Sequence, residues 1–417
     1  MSPREAPRSA ARSVQSADVR GLTRLGFDAV VGISDLVEAM HHTIASFTGI
    51  FGKPPAGRTS GITGLVYGTV RGSTRLVGKG LDAVLAMAQA AAPGASTPAR
   101  EAVLAALNGV WGDHLAASGN PLAIPMSLRV AGRPVDPGSD DLAAHFPQAS
   151  RRLVVLVHGL CMNDLQWSRN GHDHGQALAR DLGMTPLYLH YNSGRHVSEN
   201  GRDCADLLEA LVARWPVRVD ELVLVGHSMG GLVLRSACYH AERRGQRWLS
   251  VLTKLVFLGT PHQGVPLERG GHRIDTLFGI SPYIAPFARL GKARSAGITD
   301  LRFGNLQDAD WQGRDRYSQR RDDRQPTPLP AGVRTFVLAA IKAKEAAGAR
   351  RVLAGDGLVP LASALGQHRD PRHALPVPES HTYVATSANH WDLLGRADVY
   401  ERLRDWVAAS PRRRLRR

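Results

Sequence analysis

The chain has 417 residues, 43% hydrophobic and 21% charged, which is more than one hydrophobic core usually serves and too apolar for a disordered protein, so a catalytic domain with an appended region is expected. A net charge of +15 comes from 52 Lys+Arg against 37 Asp+Glu, but the basic residues are scattered, and neither a zinc-finger spacing nor an aromatic-basic RNA motif accompanies them, so no nucleic-acid partner is expected. The three cysteines, Cys161, Cys204 and Cys238, are too few and odd in number for a disulfide framework and point to a reducing compartment.

The first residues, Met1 to Arg12, lack the apolar core of a secretory signal, and no uncharged apolar run approaches the roughly 18 to 20 residues that span a bilayer. A cytoplasmic protein, soluble or peripheral to a membrane, is expected. From about Ala17 to Phe51 apolar residues such as Leu22, Leu25, Ala29, Ile33, Leu36 and Met40 recur at helical spacing. A Pro/Gly/Ser linker, Gly52 to Gly61, leads to a second helical pattern that ends at Pro93-Gly94. Within it Gly64, Gly68 and Gly72 fall four apart, a smooth stripe that fits either a tight helical hairpin or a lipid-surface or self-association element. A third helix follows the cap-like Ser96-Thr97-Pro98 and runs to about Leu115, so residues 1–120 read as an N-terminal amphipathic helical region.

After Asn120-Pro121 the texture becomes extended. Met126, Leu128 and Val130 alternate with polar residues, Ala131-Gly132 can turn, and Val135 resumes, which predicts a hairpin. Strand-like runs then alternate with helical patterns: Leu153 to Val157, Pro186 to His190, Leu222 to Val225, Leu255 to Leu258, Thr335 to Ala339 and Thr382 to Ala385. That alternation predicts an α/β domain over 121–410, a mostly parallel sheet with helices on both faces. About sixty residues separate Gly264 from Gln325, against the usual 2 to 6 for such a connection, which is room for a lid over 264–325. Its first half is apolar enough to line an acyl pocket, and its second half, Arg314 to Arg324, reads as a solvated charge run. A basic tail, 411–417, ends the chain and reads as solvated or as a loose contact for polyanions.

The sharpest motif is Gly226-His227-Ser228-Met229-Gly230, entered from a buried strand and left into a helix, the context in which a serine is held on a strained turn with its hydroxyl outward. Gly226 and Gly230 remove side chains where strand and helix nearly touch. A serine hydroxyl needs a base, and in the chain order nucleophile, acid, histidine that base should follow the last strand. His390 sits there; His368, His373 and His381 come too early. The acid that orients it is Asp356, between Gly355 and Gly357 in the loop after the preceding strand, with Glu268 the nearest carboxylate to the rival site one strand earlier. An oxyanion needs backbone N–H donors, for which Met229 and Leu160 are the candidates. His158 and Gly159 shape the loop before Leu160, His227 packs against the nucleophile turn, and His262 should shape the pocket wall. Cys161, with no acid-base pair to activate it, reads as a small buried residue.

Together His158-Gly159, Gly226-His-Ser-Met-Gly230, Gly259-Thr-Pro-His-Gln-Gly264, Asp356-Gly-Leu-Val359 and Asn389-His390 resemble the motif set of bacterial triacylglycerol lipases and the related inositol-deacylase-like branch of the α/β-hydrolase superfamily, over roughly Met126 to Ala409. The resemblance implies the α/β-hydrolase fold and cofactor-free hydrolysis of a small-molecule or lipid ester by Ser228, His390 and Asp356. Secreted members of that group carry a signal peptide, often a disulfide, and a calcium site near the histidine. The first two are absent here, and Arg396, one turn beyond Asp392, is a poor neighbour for a cation, so no metal is expected. The same triad would serve a thioesterase or acyltransferase, and a lipid-surface binding protein with a vestigial hydrolase domain is the non-enzyme alternative. The intact Ser, His, acid and oxyanion elements speak against the last.

Overall fold

In a computed structural model, the structure describes residues 98–138, 142–265, 295–316, 322–344 and 355–409. The expected helices over 17–51 and 62–92, the glycine stripe and the basic tail lie outside the described residues. By contacts the chain divides into a unit of Met1–Ser96 with Ala117–Leu122 and a larger unit of Thr97–Ala116 with Ala123–Arg417, which carries the sheet.

Eight strands form one sheet in the order β2-β1-β4-β3-β5-β6-β7-β8: β1 (Ser127–Val130), β2 (Arg133–Val135), β3 (Arg152–Val157), β4 (Thr185–His190), β5 (Glu221–His227), β6 (Leu252–Leu258), β7 (Arg334–Ala340) and β8 (Thr382–Ala385). The antiparallel β1–β2 hairpin turns at Ala131 and Gly132, both at positive φ, and β1 also pairs antiparallel with β4; the five remaining pairings are parallel. Strand extents exceed the sequence expectation by a few residues at most.

Buried parallel strands present apolar side chains on both faces, and here alternate residues feed two cores. Leu153, Val155 and Val157 of β3 join one; Val154 and Leu156 join the other. The first core is covered by α1 (Pro98–Ala117), α3 (Val197–Arg214) and α4 (Met229–Arg244), the second by α2 (His174–Leu182) and α6 (Ala397–Ala408). No helix among the described residues is long and apolar enough to cross a membrane.

Two expectations are corrected. The domain boundary placed at residue 120 cuts off α1, yet Ala106 and Val110 of α1 are fully buried against the same core as β3 and β4, so this helix belongs with the sheet. The segment 264–325 is not one loose lid either. Within it α5 (Ala296–Phe303) buries Ile298 and Leu301 in that core, and Leu306 follows. Arg324, expected on a solvated face, is only 8% exposed. Its guanidinium donates to the carbonyls of His262 and Gly304, to Gln263 Oε1 and to the Asp322 carboxylate, so packing spends every donor that solvent would otherwise meet. What remains for a lid, 266–294, lies outside the described residues.

Candidate active site

The C-terminal edge of β5 delivers the site. Every residue of β5 is buried, and the chain leaves it through Ser228 at φ 53°, ψ −125°, a left-handed conformation that a non-glycine residue adopts only under constraint. The constraint is the strand-to-helix contact. A Cβ on Gly226 would lie 2.6 Å from Gly231 Cα, and one on Gly230 would lie 2.2 Å from the Val157 carbonyl oxygen. Ser228 N–H donates to Leu258 O of β6 at 2.8 Å, which ties the turn to the neighbouring strand. Met229 opens α4, where the N–H groups of the first turn have no partner inside the helix.

His390 and Asp356 meet across the ends of β7 and β8. Asp356 Oδ2 accepts from His390 Nδ1 at 2.6 Å, and its Oδ1 accepts from Leu358 N at 2.9 Å and Val359 N at 2.8 Å. Both residues are 2% exposed. With its proton on Nδ1, the imidazole leaves Nε2 as a lone-pair acceptor. Gly259, at φ 58°, lies flat against this ring: a Cβ there would be 3.0 Å from His390 Cε1 and 3.1 Å from Nδ1. His227 Nε2 donates to the His390 carbonyl at 3.3 Å, and the two rings lie 4.7 Å apart. Burial, then the neighbouring His390, hold the His227 pKa well below the usual histidine value, so it stands as a neutral donor.

The loop after β3 faces Ser228 from the other side. A Cβ on Gly159 would come 2.9 Å from Ser228 Cβ, so this turn touches the serine. Met162 N–H closes the turn onto Gly159 O at 3.3 Å, and Cys161, its third residue, has φ 60°. His158 stacks on Tyr191 at 4.4 Å, and the Tyr191 hydroxyl donates to His158 O at 2.8 Å. Burial, with His190 nearby, lowers the His158 pKa to about 3, which leaves it neutral. Burial raises the Cys161 thiol to about 12, so no thiolate forms there near neutrality.

His262 is fully buried, edge-on to Phe257 and 3.5 Å from the Arg235 guanidinium. Asp392 is engaged locally, its Oδ2 accepting from Asn389 N at 2.8 Å, while Arg396 pairs with Asp398 at 2.7 Å. Among the described residues, Glu101, Asp164 and His190 alone bring three potential metal ligands within reach of one point. Arg129 NH1 already bridges the two carboxylates, at 2.9 Å from Glu101 and 3.3 Å from Asp164, so the acid charge there is answered by a guanidinium. Tyr191 and Ser193 carry no motif of their own; Gly259 opens the Gly259-Thr-Pro-His-Gln-Gly264 motif, but nothing in the sequence links it to His390.

A family model described as PGAP1-like alpha/beta domain matches residues 148–278. No curated protein sequence matches the chain. Among solved structures, the Bacillus licheniformis lipase BlEst2 in mature form is 18% identical with a TM-score of 0.41, covering 67% of this chain and 98% of its own. The Pyrococcus furiosus esterase Pf2001 is 15% identical with a TM-score of 0.36, covering 62% of this chain and 79% of its own. A Pyrobaculum calidifontis esterase is 13% identical with a TM-score of 0.38, covering 62% and 75%. The mostly parallel eight-stranded sheet has the strand order of the α/β-hydrolase fold, and residues 148–278 are similar to the PGAP1-like alpha/beta domain.

Proposed function

We propose that the protein is a serine hydrolase that cleaves carboxylic esters, its substrates bearing lipid or other apolar acyl groups. The observation that supports this most is the buried His390–Asp356 pair at 2.6 Å, packed through His390 against His227, the residue before a serine on a constrained strand-to-helix turn. In this reading His390 Nε2 takes the Ser228 proton as Oγ attacks the acyl carbon. Asp356, fixed by two backbone N–H groups, holds the imidazole in the Nδ1–H tautomer and stabilises the imidazolium without taking its proton. The carbonyl oxygen becomes an oxyanion and moves toward the N–H groups of Met229 and Leu160. Leu160 follows Gly159, and the close approach of Gly159 to Ser228 supports this reading. His390 then returns the proton to the leaving alcohol, and water repeats the sequence to release the acid.

Ser228→Ala removes only the attacking oxygen. We expect it to abolish hydrolysis of p-nitrophenyl butyrate and labelling by a fluorophosphonate probe, with an unchanged circular dichroism spectrum. A folded Ser228→Ala protein that keeps most of its turnover would rule out this nucleophile. A chain-length series of p-nitrophenyl esters reads the acyl preference.

A further inference from the structure

We propose that α1, which precedes the whole sheet in sequence, is a positioning element for the oxyanion turn: its Gly109 presses on Cys161, which Ser193, beyond β4, braces from another side. This rests on the reading of Leu160 N–H as an oxyanion donor. Positive φ at the third residue of a turn ordinarily calls for glycine, and a side chain there is strained unless its surroundings enforce it. Cys161 is enforced from two directions. Its N–H donates to Ser193 Oγ at 3.0 Å, and its Sγ lies 3.9 Å from the Ala106 carbonyl of α1. Gly109 is pressed against it, since a Cβ on Gly109 would stand 2.1 Å from Cys161 Sγ and 3.0 Å from its backbone N and Cα. A glycine inside a helix is destabilising relative to alanine, and this contact supplies the reason for one here.

α1 is itself held in register. Ser295 Oγ donates to Gly109 O at 2.7 Å, and Arg129 joins Glu101 of α1 to Asp164, three residues beyond Cys161. On its far side the same turn reaches Ser228 through Gly159. Displacing Cys161 therefore moves Leu160 N–H relative to the serine. An error of about 1 Å in such a donor can cost about a hundredfold in rate while leaving ground-state binding in place.

The test is kinetic and uses the full chain with p-nitrophenyl butyrate. Gly109→Ala should lower kcat at least about tenfold with KM within about twofold, and adding Cys161→Gly, which removes the colliding sulfur and suits positive φ, should recover most of the loss. Ser193→Ala, which adds no volume, should lower kcat in the same KM-neutral manner and serves if Gly109→Ala does not fold. Wild-type kcat in folded Gly109→Ala, a double variant as slow as the single one, or an unchanged kcat in Ser193→Ala overturns the proposal. Activity surviving in Ser228→Ala would instead overturn the hydrolase reading beneath it, so the two failures are distinguishable.

Discussion

Asp356 accepts three hydrogen bonds, two from backbone neighbours in its own loop and one from His390 beyond β8, so its replacement tests orientation and not packing. Asn cannot hold the Nδ1–H tautomer, and Asp356→Asn should cost roughly 10²- to 10⁴-fold in kcat with little change in melting temperature. A Glu268→Gln variant that proved more damaging than Asp356→Asn would transfer the acid role. Gly259→Ala is a subtler probe at the same scale. At φ 58° an alanine is strained, and its Cβ would meet Leu393 Cδ1 at 2.8 Å and the His390 ring at about 3 Å. The ring must tilt, and kcat should fall at least about tenfold with KM nearly constant. Turnover equal to wild type would show that the imidazole has room to spare.

At the level of elements, α1 decides where the chain can be cut. Periodicity assigned residues 98–115 to the same helical region as the segments before them, because an amphipathic pattern says that one face is buried and not against what. Ala106, Val110 and Leu115 are fully buried, and Arg129 links Glu101 of α1 to the β1 strand. A protein beginning at Gly119 therefore exposes the apolar surface that α1 covers, and should be insoluble or melt at least about 10 °C lower. One beginning at Thr97 should retain hydrolysis of short soluble esters. Equal solubility and activity of the two would mean that α1 contributes nothing to the hydrolase unit. The charge run at 314–324 misled for a related reason. Arg and Asp side chains look solvated in sequence, but Arg324 pairs with Asp322 two residues away and spends its other donors on carbonyls and an amide oxygen.

Across the whole molecule, buried neutral histidines govern acid stability. Burial lowers the pKa of His158 to about 3 and of His174 to about 4, and holds His227 and His262 well below the ordinary value. The unfolded chain binds these protons near pH 6.5 and the folded chain does not, so the stability they contribute is complete above pH 6.5 and is lost as pH falls toward 4. Each imidazole can contribute a slope of up to about 1.4 kcal/mol per pH unit in that window. Urea midpoints from pH 8 to pH 4 should be flat at first and then decline steeply below about pH 6. A midpoint constant down to pH 4 would mean that these rings protonate in place.

The order of strands and helices, the constrained strand-to-helix turn at Ser228 and the loops that carry Asp356 and His390 were legible in the sequence because each is set by local rules. Strand burial shows as apolar runs, a strand-to-helix collision shows as glycine, and the chain order of serine, acid and histidine names two further loops. Tertiary structure alone decided which side chains support them. Gly109 meets Cys161 across 51 intervening positions of chain, Ser193 reaches the same residue from the end of β4, and Gly259 flanks His390 from the end of β6. Such contacts leave no periodic trace, because a glycine kept for close approach and one kept for a turn are the same letter, and only packing in three dimensions tells which neighbour it admits.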